Sequence, residues 1–112
     1  MKGRNGIDKR KHVCYLYIDD ERYPEKDITI FEHWMIARDY IHAVRYINWV
    51  LDRGYELLID LDHDLGEGKS GYDVCKYIIQ NNIPCQYRIH SMNPVGRFNM
   101  NQLLQRYGYK MF

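Results

Sequence analysis

The sequence predicts an α/β fold on a parallel sheet, because apolar strands alternate along it with segments of helical periodicity. Val13 to Ile18 reads VCYLYI, an apolar and aromatic run typical of a strand buried on both faces. Two further buried strands are expected at Leu57 to Leu61 and at Cys85 to Ser91, and all three end in polar residues. Strands that alternate with helices predict a parallel sheet with helices on both faces.

Three helices are predicted between and after these strands from their apolar periodicity and their end signals. Residues that terminate helices follow them at Gly54, Pro84 and Gly108. The residues that begin them are Asp39 for the first helix, Ser70 with Asp73 as a capping box for the second, and Asn93 followed by Pro94 for the third.

Three other segments carry weaker strand patterns. Residues 28–31 and 34–37 are expected to be extended, and the tail from Tyr109 to Phe112 is expected to add a short last strand. With these additions the sheet would hold four to five strands.

Composition bounds the classes of protein to consider. The chain has 112 residues with 16 Lys plus Arg against 15 Asp plus Glu, which predicts one domain over residues 1–112. A net charge of +1 argues against sequence-independent binding of nucleic acid by a positively charged surface. Residues 1–12 form a basic segment, which is either a solvated, frayed terminus or an arm that contacts phosphate backbone.

The sequence predicts a cytoplasmic protein that does not enter a membrane. It has no run of about 20 apolar residues, and its basic N-terminus lacks the apolar stretch of a secretory signal. Its three cysteines form no C-x-x-C motif and lie among apolar residues, which indicates reduced, buried thiols.

Acidic residues follow the first two strands, where the ends of parallel strands converge. The first strand end offers Asp19, Asp20 and Glu21, then Arg22. The second offers Asp60, Asp62, His63 and Asp64. Carboxylates brought together repel one another unless one takes a proton or they share a cation. We therefore predict a site for Mg²⁺ or another divalent cation at Asp19, Asp20 and Asp62.

The end of the third strand and the start of the last helix offer groups that suit an anion. Ser91 supplies a hydroxyl, Asn93 begins the helix, and Arg97 supplies a planar donor for phosphate. His63, Asp64 and His90 are predicted to transfer protons, and the residues leave open which of them does so. Glycines at positions 66, 68 and 71 form the loop beside the acidic strand, where the backbone bends or approaches a ligand.

The strings IDDER, LDHDLGEGKSGYDV and IHSMNPVGRFNM resemble receiver domains, and more specifically the receiver-like family named for cyclic-phosphate processing. The resemblance spans about residues 14–104. It implies a flavodoxin-like, three-layer sandwich and a role in handling cyclic phosphates, including those at RNA ends. It also matches Asp19 and Asp20 to metal-binding acids, Asp62 to the phospho-acceptor position, and Ser91 to the hydroxyl residue.

The chain departs from a signalling receiver in several places. Pro24 interrupts the segment after the acidic pair, so the first helix is expected to be lost or reduced to a turn. Lys110 is the one candidate for the lysine of the receiver's last strand. His63, Asp64, His90 and Arg97 are foreign to a signalling receiver, and are groups that a phosphoesterase would use.

Three functions fit these residues. The first is a metal-assisted phosphoesterase that acts on a cyclic phosphate in a small molecule or at an RNA end, with Asp62 as a catalytic nucleophile or a metal ligand. The second is a phospho-accepting receiver that serves as a signalling switch. The third is a non-catalytic module that binds a nucleotide, a phosphate or a partner protein through the same pocket. The histidines and Arg97 separate the first from the second, but nothing in the sequence separates the first from the third.

Overall fold

A computed structural model describes residues 12–112 of the chain, so the basic segment predicted over residues 1–12 lies almost wholly outside it. The sheet has four parallel strands in the order β2-β1-β3-β4. The strands are β1 (Val13–Ile18), β2 (His33–Ala37), β3 (Glu56–Leu61) and β4 (Gln86–Ile89). The helices are α1 (Tyr40–Asp52), α2 (Gly71–Gln80) and α3 (Pro94–Arg106).

The capping residues begin the three helices as the sequence predicts. The Asp39 side chain accepts a hydrogen bond from the His42 N–H at 2.8 Å, and Ser70 and Asp73 form the capping box of α2. Asn93 caps α3, with Pro94 in its first turn. These contacts satisfy backbone N–H groups that have no partner inside a helix. The predicted flavodoxin-like α/β fold is confirmed, with strands and helices in the expected order.

The segment between β1 and β2 has no α-helix, as Pro24 predicts. A single 3₁₀ turn, Ile28–Ile30, takes its place, because the Asp27 side chain accepts the Thr29 N–H at 2.9 Å and closes the backbone into a turn. The prediction of an extended segment over residues 28–31 is therefore wrong. At the other end of the chain, the predicted fifth strand is reduced to one parallel bridge between Tyr87 and Met111.

The two faces of the sheet carry different layers. Buried residues of α1, α2 and α3 all join one hydrophobic cluster with Leu16, Ile59 and Tyr87. The opposite face carries a smaller cluster around Tyr15, Tyr17 and the 3₁₀ residue Ile28. The sequence predicted helices on both faces, but within residues 12–112 the three α-helices cover one face, because the first helix is reduced to a turn.

Candidate functional site

The strand register brings three polar residues into one row at the carboxyl edge of the sheet. The Asp62 N–H donates to the Ile18 carbonyl and the His90 N–H donates to the Leu61 carbonyl, both at 2.9 Å. The parallel pairing thus continues one residue beyond β1, β3 and β4. It sets Asp19, Asp62 and His90 side by side on the face opposite α1, α2 and α3, with their possible ligand atoms all within 4.8 Å of one another.

His90 is held between two carboxylates. Its Nδ1 lies 2.6 Å from Oδ1 of Asp60, and its Nε2 lies 3.0 Å from Oδ2 of Asp19. Tyr17 stacks on the imidazole at 4.4 Å between ring centroids. Burial alone would lower the pKa of His90, but hydrogen bonds and charge from Asp60 and Asp19 outweigh it and raise that pKa. Because both ring nitrogens face carboxylates, the charged form of the imidazole is favoured.

Asp60 connects His90 to the interior of the sheet. The register pairs Asp60 with Tyr17 on β1 and with Arg88 on β4, one row inside the strand ends. Its Oδ2 accepts a hydrogen bond from the buried Tyr15 hydroxyl. A chain of hydrogen bonds therefore runs from Tyr15 through Asp60 and His90 to Asp19, and it fixes the orientation of the imidazole.

Asp19 is buried yet stays ionised. Burial by itself would raise its pKa, but the backbone N–H groups of Arg22 and Glu21 donate to its Oδ1 at 2.8 and 3.0 Å. Together with His90 and the Arg22 guanidinium, these bonds lower the pKa of Asp19 below its ordinary value.

Arg22 supplies a cation to the acidic row. Its Nε lies 3.0 Å from Asp19 and its Nη2 lies 3.5 Å from Asp62. Burial would lower the pKa of the guanidinium, but the charge of Asp19 outweighs it and raises that pKa. Arg38 donates to the Asp19 and Arg22 carbonyls at 3.0 and 2.7 Å and supports this turn. The repulsion expected between the carboxylates is thus partly neutralised by the chain itself.

The segment after Asp62 lies against the starts of two helices. The His63 N–H donates to Asp62 Oδ1 at 2.8 Å, and its Nδ1 lies 3.1 Å from the exposed Asp64. A Cβ at Gly71 would lie 1.9 Å from the Asp62 carbonyl oxygen, and one at Gly96 would lie 2.4 Å from His63 Cγ. Glycine is required at both positions. The side chains of His63 and Asp64 pair with each other and lie outside the row formed by Asp19, Asp62 and His90.

The residues predicted to bind phosphate have different surroundings. Ser91 is buried, and its Oγ accepts the Asn93 N–H at 3.1 Å. The Asn93 side chain accepts the Gly96 N–H at 3.0 Å, so its oxygen serves to cap α3. Arg97, in the first turn of that helix, is exposed and borders the cleft beside His90. Of the three, Arg97 presents the group most available to an anion.

A cleft of about 350 Å³ lies over the face of the sheet that has no α-helix. Basic side chains outnumber acidic ones along its walls, where Arg22, Arg88 and Arg97 are joined by Lys26 and the His90 imidazolium. The aromatic and acidic residues that line it are Tyr15, Tyr17, Tyr23, Glu25 and Asp60. Its charge and size suit a small phosphorylated ligand.

The carboxylates of Asp19 and Asp62 fit a divalent cation by the chemistry of their donors. Mg²⁺ takes one or two protein carboxylates and completes its shell with water or phosphate oxygens. His90 belongs to the same cluster, but both its nitrogens face carboxylates in the structure, which leaves Asp19 and Asp62 as the protein ligands. Asp20 is exposed and its Oδ2 lies beside Gly66, outside this cluster.

Comparison with known families matches residues 14–106 to the model of the cyclic-phosphate processing receiver domain. The match covers most of the chain, including all four strands and the three helices. The chain belongs to the cyclic-phosphate processing receiver domain family. No curated protein and no solved structure gives a significant match.

The site includes contacts that the sequence did not predict. Asp60 was considered with Asp62 at the end of the second strand, but its contact with His90 was not predicted, and Tyr17 was taken only as part of a buried strand. Alternation along β3 sets Asp60 on the same face as Asp62 and is the signal that could have indicated this contact. Arg22 was noted beside the acidic pair without a role, and its position three residues after Asp19 gave no indication of the contact with Asp62.

No helix within residues 12–112 is long and apolar enough to cross a bilayer.

Proposed function

We propose that this receiver domain is a metal-assisted phosphoesterase that hydrolyses a cyclic phosphate, in a cyclic nucleotide or at a 2′,3′-cyclic RNA end. The observation that carries the proposal is the His90 imidazolium, held by Asp60 and Asp19 beside a cationic cleft. Membership of a family named for cyclic-phosphate processing supports the choice of substrate.

The reaction needs an acid at the leaving oxygen. Water adds to phosphorus, one ring P–O bond breaks, and the oxygen released takes up a proton to become a hydroxyl. His90 is suited to give that proton, because its charged form is favoured and Asp60 and Tyr17 fix its orientation. A bound substrate would place its leaving oxygen at Nε2, where the structure has the Asp19 carboxylate. Arg97 and Arg22, on the walls of the cleft, would stabilise negative charge on the remaining phosphoryl oxygens.

The proton of the attacking water needs a base. We assign this role to His63, because its pairing with Asp64 through Nδ1 orients the ring, which lies against Gly96 at the start of α3. Mg²⁺ or a similar ion held by Asp19 and Asp62 would neutralise charge on the phosphate. Asp62 thus serves as a metal ligand in this proposal, and Ser91 supports the turn that leads to α3.

The test is a screen of the purified protein against 2′,3′- and 3′,5′-cyclic nucleotides and RNA with 2′,3′-cyclic phosphate ends. We expect turnover of at least one substrate in Mg²⁺, and its loss in EDTA and in Asp62→Asn. If compounds of this set bind but none is hydrolysed, the result would contradict the proposed enzyme and favour a binding module.

A second measurement separates the enzyme from a signalling switch. The protein is incubated with acetyl phosphate and Mg²⁺, and its intact mass is recorded over time. An enzyme of the proposed kind forms no long-lived phosphoryl adduct at Asp62. An adduct that survives for many minutes would overturn the proposal in favour of a phospho-accepting receiver.

A further inference from the structure

A second cluster of possible metal ligands lies at the opposite edge of the sheet from the cleft. It consists of His12, Glu32 and His33, and we call it the histidine–glutamate cluster. His12 precedes β1 and its carbonyl accepts the Glu56 N–H at 2.8 Å, while His33 is the first residue of β2. The cluster therefore lies where the parallel strands begin, and the candidate phosphoesterase site lies where they end.

The three side chains converge on a single carboxylate oxygen. Glu32 Oε1 forms an ion pair with His12 Nδ1 and lies 3.2 Å from His33 Nε2. His33 Nε2 is buried, yet it has no partner in hydrogen-bond geometry among residues 12–112. Buried polar atoms in folded proteins are almost always paired, so this nitrogen is unusual. A cation bound to this nitrogen would also lie near Glu32 Oε1.

Aromatic rings hold the two imidazoles in place. Tyr55 stacks on His33 with 4.4 Å between ring centroids and an angle of 15° between the planes. The His12 ring lies 5.2 Å from the same tyrosine, and Trp49 packs at 6.2 Å from His33. Ligands whose orientations are already fixed lose little conformational freedom when they bind a metal.

We propose that the histidine–glutamate cluster is a second metal site, and that it takes Zn²⁺ or another transition metal with an affinity for imidazole. Two imidazoles and one carboxylate are a ligand set for Zn²⁺, Ni²⁺ or Cu²⁺, whereas Mg²⁺ prefers oxygen ligands throughout. Three protein ligands leave one tetrahedral position for water. The bound ion would tie the start of β2 to the residue that precedes β1.

The test measures zinc binding to the EDTA-treated, dialysed protein by calorimetry and by thermal unfolding. We expect one tightly bound Zn²⁺ per chain at this site and a rise in Tm of about 10 °C at a hundredfold excess over Kd. Glu32→Gln and His12→Gln should abolish both effects. Both side chains are 56% exposed, so these variants should fold.

Two control variants separate this site from other ligands. His42→Gln removes an exposed histidine of α1 that lies in neither cluster, and Asp62→Asn weakens the candidate phosphoesterase site; both should retain the zinc effect. Zinc affinity unchanged in Glu32→Gln and His12→Gln would overturn the proposal. Zinc binding lost in Asp62→Asn but kept in the two cluster variants would also overturn it. Because the readouts are binding and Tm, failure of the proposed enzyme activity would not affect this test.

Discussion

His90 Nδ1 lies 2.6 Å from Oδ1 of Asp60, a carboxylate one register row inside the edge of the sheet. Asp60 is buried and also accepts the Tyr15 hydroxyl, so it has little freedom to turn away from His90. The relationship makes Asp60 a positioning residue, which acts on the reaction through the imidazole.

The first prediction concerns that contact. Asp60→Asn keeps the shape of the side chain but removes the charge that stabilises the imidazolium, so kcat for the cyclic phosphate should fall about 100-fold. KM should change little, because the two Asp60 oxygens are already engaged by Tyr15 and His90. Steady-state kinetics would check this, with the exposed Asp52→Asn as control. A change confined to KM would assign Asp60 to substrate binding instead.

The second prediction concerns Arg22, whose guanidinium contacts the same carboxylates that would hold the metal. Its charge opposes a divalent cation, so Arg22→Gln should tighten Mn²⁺ or Mg²⁺ binding by about tenfold, roughly 1.4 kcal/mol. Calorimetry on the metal-free protein would measure this, and Arg53→Gln, at the residue that follows α1, serves as the matched control. Weaker binding in Arg22→Gln would show that the arginine supports the cation.

The third prediction concerns the shape of the Arg97 side chain, which would donate hydrogen bonds to the phosphate. Arg97 offers a planar pair of N–H groups, whereas lysine offers a point charge, so Arg97→Lys should lower kcat/KM by about tenfold. Arg106→Lys, at the far end of the same helix, should have no effect. Equal catalytic efficiency in the two variants would exclude a bidentate contact from Arg97.

The fourth prediction concerns alkaline pH. Burial raises the pKa of the Cys14 and Cys85 thiols to about 11 and about 12, and it also raises that of Cys75. Unfolded thiols lose their protons from about pH 8.5, while the folded ones keep them. The free energy of unfolding should therefore be highest below that pH and fall as pH rises, by ~1.4 kcal/mol per pH unit for each thiol.

Urea unfolding at several pH values between 7 and 10.5 would measure this slope. Cys14→Ala removes one of the three groups and should make the slope shallower, even though it lowers stability at pH 7. An unchanged slope would show that Cys14 does not contribute to the alkaline loss.

Local signals made most of the fold predictable. The caps at Asp39, Ser70 and Asn93 are short-range hydrogen bonds that the sequence itself specifies, and the helices begin there. The 3₁₀ turn at Ile28–Ile30 was missed because one side-chain contact from Asp27 decides it. Within residues 12–112, one face of the sheet lacks α-helix because the segment that contains Pro24 forms only this turn; the prediction of helices on both faces did not take that loss into account.

The candidate site was predictable where strand ends define it. Asp19, Asp62 and His90 meet because parallel strands in register end at one edge. Asp60 was recognised at the end of the second strand, but its contact with His90 depends on the pairing of β3 with β4, which neither strand's sequence shows by itself. Asn93 was predicted both to begin α3 and to bind phosphate; its side-chain oxygen caps α3, and the phosphate contact stays a prediction.

The most direct test of the account compares hydrolysis of a 2′,3′-cyclic nucleotide by the native protein and by His90→Gln, followed by ³¹P NMR in Mg²⁺. The account predicts conversion of the cyclic phosphate to a phosphomonoester by the native protein, and a rate at least 100-fold lower in His90→Gln but unchanged in His42→Gln. Equal rates in the native protein and His90→Gln would contradict the central claim that the imidazolium between Asp19 and Asp60 is the acid of this reaction.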